Sequence, residues 1–404
     1  MNAEADMRRA QMGREGGGVF PFFLAVVLLF CIAMYLRVTP YLAEPSFWAE
    51  DLSVFWAAAY VKPLHETLFV PYAGYLHLVP RLIAAGVELF PYKLHPTLYA
   101  YASVAVSAWT AGVLATSAGT RVLGALWALL LLLVPHAGEV WATPTNLQWV
   151  MACALPVLAL APVSTSRFVR GNQIAFMATT ALTGPFMVLS APLWAYRAAR
   201  AWRSRDGHGA VLVAIAAAGA AVQFYFLTRQ SVAAAVEGGG VSDFSGTLLH
   251  CLQRWLEQST GPLSILSLMF GPLLLAGLFW GSARVLRAGC LAFALIVLLA
   301  TTHKFSTVPN PLAETNGDRY FFIPMVMAGF SFASLILDGA ASRWLRAAAV
   351  ILLLQMMFLA LLAPLSEREP WDFARNWRGY AHLIGRQDIL VTFPPNWQFL
   401  IKAK

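Results

Sequence analysis

The chain has few charged residues. Of its 404 residues only 12 % are charged, whereas 59 % are hydrophobic, and the mean hydropathy is +0.64. Soluble globular domains have about 25 % charged and roughly 45–50 % apolar residues. The composition therefore excludes a water-soluble enzyme, a disordered chain and a collagen-like chain. It indicates an all-α, polytopic membrane protein.

Cysteine is also scarce. Three of the four cysteines, Cys31, Cys153 and Cys290, lie within apolar runs, which leaves Cys251 alone in a long polar stretch. A disulfide framework needs paired cysteines in an oxidising compartment, so we expect no intrachain bridge on the outer face. The sequence also lacks a Cys/His metal-binding spacing, a Walker loop and a nucleophile elbow.

Long apolar runs are what the sequence does contain. A transmembrane helix needs about 20 apolar residues. The first run follows a basic segment and no small-residue cleavage site comes after it, which indicates an uncleaved first span with a cytoplasmic amino terminus. The runs lie at about residues 19–36, 97–118, 122–136, 146–163, 174–196, 209–228, 262–280, 288–302, 320–337 and 347–363.

The run at 174–196 has two interpretations. Gly184 and Pro185 interrupt it, and arginines flank it at 167–170 and at 197–205. One span would place an arginine cluster outside, whereas a hairpin of two short helices would keep both clusters in the cytoplasm. Each arm would be roughly 20 Å long, which is short for a hydrocarbon core of about 30 Å. With this hairpin, we expect about eleven transmembrane helices.

This topology predicts one long module and a tail. Residues 1–363 form the transmembrane module, and residues 38–96 are its first outer loop. Residues 364–404 are expected to be a short tail at the outer face. No segment is long enough to be a separate soluble domain, so we expect any chemistry at the outer face of the membrane.

The first outer loop contains adjacent carboxylates, Glu50 and Asp51. Trp48, Leu52 and Phe55 recur at helical spacing around them, which predicts an amphipathic helix over residues 50–60 that lies in the interface. A second interfacial helix is expected within 76–90. The acidic pair has two interpretations. It stabilises a helix N-terminus, or it supplies a general base or metal ligand.

Other polar residues are expected at the same surface. Arg319 at the start of a span either snorkels to the interface or holds a phosphate with its planar guanidinium group. The remaining candidates come from two outer segments and from the residue after Arg319. They are Tyr72, His77, Arg81, Asn146, Gln148, Trp149 and Tyr320.

These residues resemble the motifs of the GT-C superfamily of integral-membrane glycosyltransferases. That family has an acidic pair in the first outer loop, which Trp48-Ala-Glu50-Asp51 matches here. The resemblance continues at 146–149, at the Thr-Gly-Pro-Phe turn of 183–186 and at 317–322. It is closest to a poorly characterised bacterial branch. Some members have a large carboxyl-terminal soluble domain, which we do not expect here.

The resemblance implies a function. A sugar is transferred with inversion from a polyprenyl-phosphate donor to an acceptor hydroxyl, at the outer face of a bacterial inner membrane. The acceptor is a glycan, a lipid or a protein, membrane lipid is the other partner, and nucleic acid is not expected. No cofactor is required because the leaving group is already a phosphate, but a divalent metal ion stays open, with Glu50 and Asp51 as its ligands.

The expected roles follow from this reaction. Asp51, supported by Glu50, is the general base. Donor phosphate binding is assigned to Arg319, Tyr320, Arg81 and His77. Acceptor binding or structural support is assigned to Tyr72, Asn146, Gln148 and Trp149.

Two other classes of protein fit the same spans. A transporter or flippase of a lipid-linked sugar or other amphiphile would use a broken helix such as the one at Gly184 and Pro185. It would also place ionisable residues deep inside its spans, and few are found there. A purely structural membrane subunit fits too, but it needs no acidic pair in an outer loop.

Overall fold

Helices make up almost all of the regular structure. The computed structural model describes residues 18–136, 138–234, 243–261, 265–306, 317–362, 376–393 and 397–404. The helical elements of the first part are α1 (Val19–Arg37), α2 (Thr39–Ala43), a π-helical segment (Asp51–Trp56), α3 (Ala57–Val61), α4 (Leu64–Thr67), α5 (Leu78–Val87), a 3-10 turn (Tyr92–Leu94), α6 (His95–Ser117), α7 (Arg121–Leu130), α8 (Leu147–Ala152) and α9 (Leu155–Leu160).

The second part of the chain adds the central and carboxyl-terminal elements. They are α10 (Arg167–Ala181), α11 (Phe186–Leu189), α12 (Ala191–Ser204), α13 (Gly207–Ala234), α14 (Phe244–Thr260), α15 (Ile265–Phe279), α16 (Arg284–Phe305), α17 (Arg319–Ile336), α18 (Arg343–Leu362), β1 (Ile389–Phe393) and β2 (Trp397–Ile401). The two strands pair antiparallel. Nearly every residue of α17 is buried, and this helix packs against α7, α16 and α18 in the centre of the bundle.

Several helices are long and apolar enough to cross a membrane. Within the described ranges there are six of them, or seven if α14 and α15, which meet at an angle of 107°, count as one broken span. The six are Val19–Arg37, Tyr92–Ser117, Gly207–Arg229, Arg284–Phe305, Arg319–Ile336 and Arg343–Leu362. The structure therefore agrees with the predicted architecture of a helical membrane bundle.

The expected count of eleven crossings stays a prediction, because several apolar runs form shorter helices. The run at 122–136 ends as a helix at Leu130, and the run at 146–163 is divided into α8 and α9. Pro135 and Pro144 lie between α7 and α8. A proline lacks the backbone donor that a continuing helix needs, which explains why α7 does not continue towards α8.

The chain reverses direction at Gly184. At one end of α13, His208 Nε2 lies 2.7 Å from Gln173 Oε1 of α10, and further along α13, Gln223 Nε2 donates to the Ala181 carbonyl. Helices α10 and α13 therefore run in the same direction. Because α12 reaches α13 through a two-residue turn, α10 and α12 run antiparallel, as the hairpin interpretation expects. Gly184 has φ +86°, a conformation that glycine adopts without steric cost.

Both interfacial helices expected in the first outer loop are present as helices. The π-helical segment with α3 covers 51–61, and α5 covers Leu78–Val87. The side chains of Leu52, Phe55 and Trp56 are fully buried. They form a second apolar core together with α5 and the carboxyl-terminal hairpin of β1 and β2. The expected apolar face therefore packs against protein.

The carboxyl-terminal segment covers the first outer loop. The Trp377 ring lies edge-on to Phe47, at 4.7 Å between ring centroids, and to Trp56, at 5.5 Å. Its Nε1 donates to the Tyr92 carbonyl at 2.8 Å, and the Tyr60 hydroxyl donates to the Lys402 carbonyl at 3.2 Å. The segment expected to be a simple tail is thus part of the structure that holds residues 47–61.

Replacing Trp377 with alanine should destabilise the protein strongly. The change removes a buried indole from between two aromatic rings and leaves the Tyr92 carbonyl without its donor, at a cost of about 3–5 kcal/mol in the free energy of unfolding. Thermal unfolding of the detergent-purified protein measures the effect. Trp344, whose side chain is 72 % exposed, is the matched control. Equal midpoints for Trp377→Ala and Trp344→Ala would show that the carboxyl-terminal segment does not stabilise the loop.

Candidate functional site

A cavity of about 520 Å³ opens between the first outer loop, the segment before α8, and helices α11, α13, α16 and α17. It brings together all of the predicted site residues except Asp51 and Arg81. Those that line it are Glu50, Tyr72, His77, Asn146, Gln148, Trp149, Arg319 and Tyr320. Residues that are 270 positions apart in the chain thus meet at one surface.

The segment 72–77 is held against the break between α10 and α11. Tyr72 and Tyr75 exchange backbone hydrogen bonds of 3.0 and 3.2 Å across a tight turn. The next residue, Leu76, accepts from the Gly184 amide at 2.9 Å and donates its own amide to Gln223 Oε1 at 2.8 Å. These bonds place the Tyr75 and His77 rings at the cavity.

The structure separates the two carboxylates of the acidic pair. Asp51 is 2 % exposed and does not line the cavity. Its Oδ1 accepts hydrogen bonds from the Thr145 amide at 2.9 Å and hydroxyl at 2.6 Å, and its Oδ2 accepts one from the Thr143 hydroxyl at 2.7 Å. Glu50 directly precedes the π-helical segment, and its carboxylate is the one that reaches the cavity. Asp51 thus ties the π-helical segment to residues 143–145.

Unusual backbone conformations cluster around these residues. Ala49, Ala73 and Ala142 all have positive φ, at 23°, 50° and 54°. They directly precede Glu50, Gly74 and Thr143. Such conformations cost non-glycine residues about 1–3 kcal/mol and are frequent at functional sites, as are π-helical segments like the one that begins at Asp51.

Arg319 reaches the cavity as one half of an ion pair. Its guanidinium Nη1 pairs with Oε1 of Glu139, a carboxylate that is almost fully buried. Asn146 Nδ2 donates to the Glu139 carbonyl at 2.8 Å, which fixes the loop that carries the acid. The Arg319 side chain is still 27 % exposed, so part of its donor surface faces the cavity. Snorkelling alone does not describe this arginine.

Asp318, the residue before Arg319, has a structural role. Asp318 Oδ1 accepts from Arg254 Nη2 at 2.5 Å and from Gln258 Nε2 at 2.8 Å. Both donors lie on α14, so Asp318 joins α14 to the start of the central helix α17. The motif at 317–320 thus anchors a helix with its acid and presents Arg319 and Tyr320 to the cavity.

Lys304 is a charged cavity residue that the sequence reasoning missed. Its Nζ lies 2.6 Å from the Tyr320 hydroxyl and 5.0 Å from the Tyr320 ring centroid. No carboxylate among the described residues forms an ion pair with it. A lysine at the end of a span is ordinarily an interfacial residue. Only its position in space, next to a tyrosine 16 residues later, marks it as part of the site.

The aromatic wall of the cavity is uncharged at neutral pH. Burial lowers the pKa of His77 to about 3, so its imidazole is neutral, and it stacks on the Tyr75 ring at 4.6 Å. Burial, and then the nearby Glu50 carboxylate, raise the pKa of Tyr72 to about 12. The Tyr72 hydroxyl lies 3.5 Å from Glu50 Oε1. His77 therefore offers a substrate hydrogen bonds but no positive charge.

Arg81 lies behind the cavity. It is 4 % exposed, and its Nη2 donates to the Val70 carbonyl at 3.2 Å. Its guanidinium carbon lies 5.2 Å from the Phe55 ring centroid, a cation–π contact. Arg81 thus joins α5 to the loop before it and to the π-helical segment. The geometry does not place it in contact with a cavity-bound phosphate.

The residues do not form a metal site. In the part of the chain that the structure describes, no three His, Cys, Asp or Glu side chains come together as a ligand set. The candidate ligands Glu50 and Asp51 diverge, and both oxygens of Asp51 already accept hydrogen bonds from threonines. We therefore derive no step through a metal ion.

Comparison with known proteins adds no assignment, since no protein-family model matches the chain and a search of curated proteins finds no match.

Proposed function

We propose that the chain is an integral-membrane glycosyltransferase of the GT-C type that uses a polyprenyl-phosphate-linked sugar. The observation that carries the proposal is one cavity with a carboxylate, Glu50, two cations, Lys304 and Arg319, and an apolar wall. Transfer of a sugar from a lipid phosphate needs all three. The carboxylate accepts a proton, the cations bind the leaving phosphate, and the apolar wall contacts the lipid.

The apolar wall supports an amphiphilic donor. It is built by α11, α13 and α16, and its members are Phe186, Leu189, Leu227, Val297 and Ala300. The cations lie at the end of α16 and the start of α17, next to this wall. A donor with its tail along the wall therefore has its phosphate beside Lys304 and Arg319. Guanidinium and ammonium groups are the usual partners of phosphate oxygens.

The proposed reaction is a single displacement. The Glu50 carboxylate takes the proton from the acceptor hydroxyl as that oxygen forms a bond to the anomeric carbon. The bond between the anomeric carbon and the phosphate oxygen breaks, and its electron pair leaves with the phosphate. Attack from the side opposite the leaving group inverts the anomeric centre. Lys304 and Arg319 stabilise the charge that develops on the phosphate.

The proposed orientation places this cavity at the outer face of a bacterial inner membrane, with the amino terminus in the cytoplasm. Support comes from the distribution of arginines, because basic residues accumulate in cytoplasmic loops. Arg200, Arg203 and Arg205 lie at the end of α12 that is remote from the cavity.

Donor binding tests the assignment at Lys304. Lys304→Gln removes the cation that has no acidic partner among the described residues. We expect this loss to weaken binding of a synthetic polyprenyl-phosphate sugar about 10- to 150-fold, the equivalent of a hydrogen bond to a charged group. Lys62→Gln, which changes an exposed lysine remote from the cavity lining, is the matched control. Equal donor affinity for Lys304→Gln and Lys62→Gln would contradict the proposal. So would an unchanged protein that binds the phosphate-free polyprenol as tightly as it binds the donor.

A transporter or flippase of a lipid-linked sugar is the second candidate. The observation in its favour is the hairpin at Gly184 and Pro185, since Pro185 lines the cavity and interruptions between short helices are frequent in transporter sites. The two functions differ in their products. Reconstituted vesicles that move the labelled lipid across the bilayer without release of polyprenyl phosphate would establish transport and overturn sugar transfer.

A further inference from the structure

A second concave surface, of about 900 Å³, lies between α12 and α13. It is remote from the candidate site, because it includes the first residues of α13, whereas Gln223, further along the same helix, contacts the loop at Leu76. The 16 residue steps from Gly207 to Gln223 correspond to about 24 Å of helix, most of the thickness of a hydrocarbon core. The two cavities therefore lie near opposite surfaces of the membrane.

This second cavity carries positive charge without compensation. Arg203 and Arg205 line it, both are exposed, and neither forms an ion pair among the described residues. The acid next to them, Asp206, is already paired with Arg197 through an Nη2–Oδ2 contact of 2.9 Å. Two arginine side chains are thus available to an anion at the rim of one concave surface.

The rest of the cavity is suited to lipid. Trp202 lines it with 87 % of its side chain exposed, and exposed tryptophans are typical of the membrane interface. The facing surfaces of α12 and α13 carry small residues that leave a groove between the helices. They are Ala198, Ala201, Ala210 and Ala214.

The backbone at Arg205 supports a shaped site. Its φ is 52°, the left-handed conformation, which costs a residue with a side chain about 1–2 kcal/mol. Glycine or asparagine would adopt it at lower cost. At Arg205 this conformation ends α12, because the Arg205 amide donates to the Ala201 and Trp202 carbonyls, and it turns the chain into α13 at the rim of the cavity.

We propose that this cavity binds the phosphate of an anionic phospholipid, with Arg203 and Arg205 on the phosphate oxygens and an acyl chain in the alanine groove. A guanidinium group matches two phosphate oxygens at once, which gives a bound headgroup more than the general attraction of a basic surface. Free phosphate shares the headgroup chemistry, but the groove and Trp202 favour the lipid.

The test compares lipid retention by two sets of variants. The protein is purified in detergent, incubated with phosphatidylglycerol or phosphatidylcholine, and analysed by native mass spectrometry. In the site variant, Arg203→Gln is combined with Arg205→Asn, because asparagine tolerates the left-handed backbone. The control combines Arg343→Gln with Arg346→Gln, so that both variants lose two positive charges from exposed arginines. Arg343 also lies beside an exposed tryptophan, 5.0 Å from the Trp344 ring centroid, but it lines neither cavity.

We expect the site variant to lose at least tenfold in affinity for phosphatidylglycerol and the control to lose less than twofold, with little change for phosphatidylcholine. Equal losses in the two variants would show only a general surface attraction and would overturn the proposal. Inorganic phosphate that displaces the lipid at equal concentration would overturn the lipid assignment. Since no sugar donor is used, the result is independent of the proposed transferase function.

Discussion

Replacing Glu50 with glutamine should lower the rate of sugar transfer about 10²–10⁴-fold, the usual contribution of a general base. Glutamine keeps the size of the side chain that lines the cavity but removes the carboxylate that accepts the proton. Donor binding and thermal stability should change little, because the described contact of Glu50 is one long hydrogen bond from Tyr72 at 3.5 Å. Transfer measured at saturating donor, with donor affinity measured separately, checks the prediction.

Asp51→Asn is the control that separates the two carboxylates. Asparagine keeps an oxygen for the Thr145 amide and hydroxyl, and the Thr143 hydroxyl can rotate to accept from the new amide. We therefore expect a modest loss of stability and less than a tenfold loss of rate. The sequence argument alone assigns the base to Asp51. A large loss in Asp51→Asn together with nearly normal turnover in Glu50→Gln would establish that assignment and contradict the one drawn from the cavity.

Replacing Arg319 with alanine should damage both the fold and donor binding. Glu139 is 3 % exposed, and removal of one partner from a buried ion pair costs about 3–5 kcal/mol because the other charge is left without compensation. The same change removes a cation from the cavity. Thermal unfolding and donor affinity, measured on the same preparation, report the two effects.

A double variant separates the two effects of Arg319. Combining Arg319→Gln with Glu139→Gln removes both charges, so the buried carboxylate no longer needs a partner. We expect most of the stability to return and donor binding to stay weak. Full recovery of donor affinity in the double variant would show that Arg319 serves only Glu139, and the phosphate would then depend on Lys304. Arg386, an exposed arginine away from the cavity, supplies the control Arg386→Ala.

The sequence was sufficient to locate much of the cavity because those residues carry local signals. Tyr72 and His77 fall in a polar patch, Asn146 lies two residues after Pro144, and Arg319 directly precedes an apolar run, so each stands out from its neighbours. Lys304 has no such signal. A lysine at the end of a span is common, and it joins the site only because α16 and α17 pack side by side.

The direction of each side chain was harder to predict than its position. Apolar residues bracket Asp51, which correctly indicates that it faces protein, but facing protein here means burial against Thr143 and Thr145. The π-helical segment changes the angle between successive side chains relative to an α-helix. That local geometry depends on tertiary packing, so an α-helical projection of the sequence does not predict it.

The packing of Trp377 against Phe47 and Trp56 has a consequence for the order in which the protein assembles during synthesis. The indole donates to a carbonyl 285 residues earlier in the chain. At a synthesis rate of about 5–20 residues per second, roughly 15–60 s separate the emergence of the two partners from the ribosome. During that interval the aromatic face around Phe47 and Trp56 is without its partner, although most of the candidate spans have already been made. The first outer loop is thus completed late, and a product of translation stopped before residue 377 would lack the indole that packs against it.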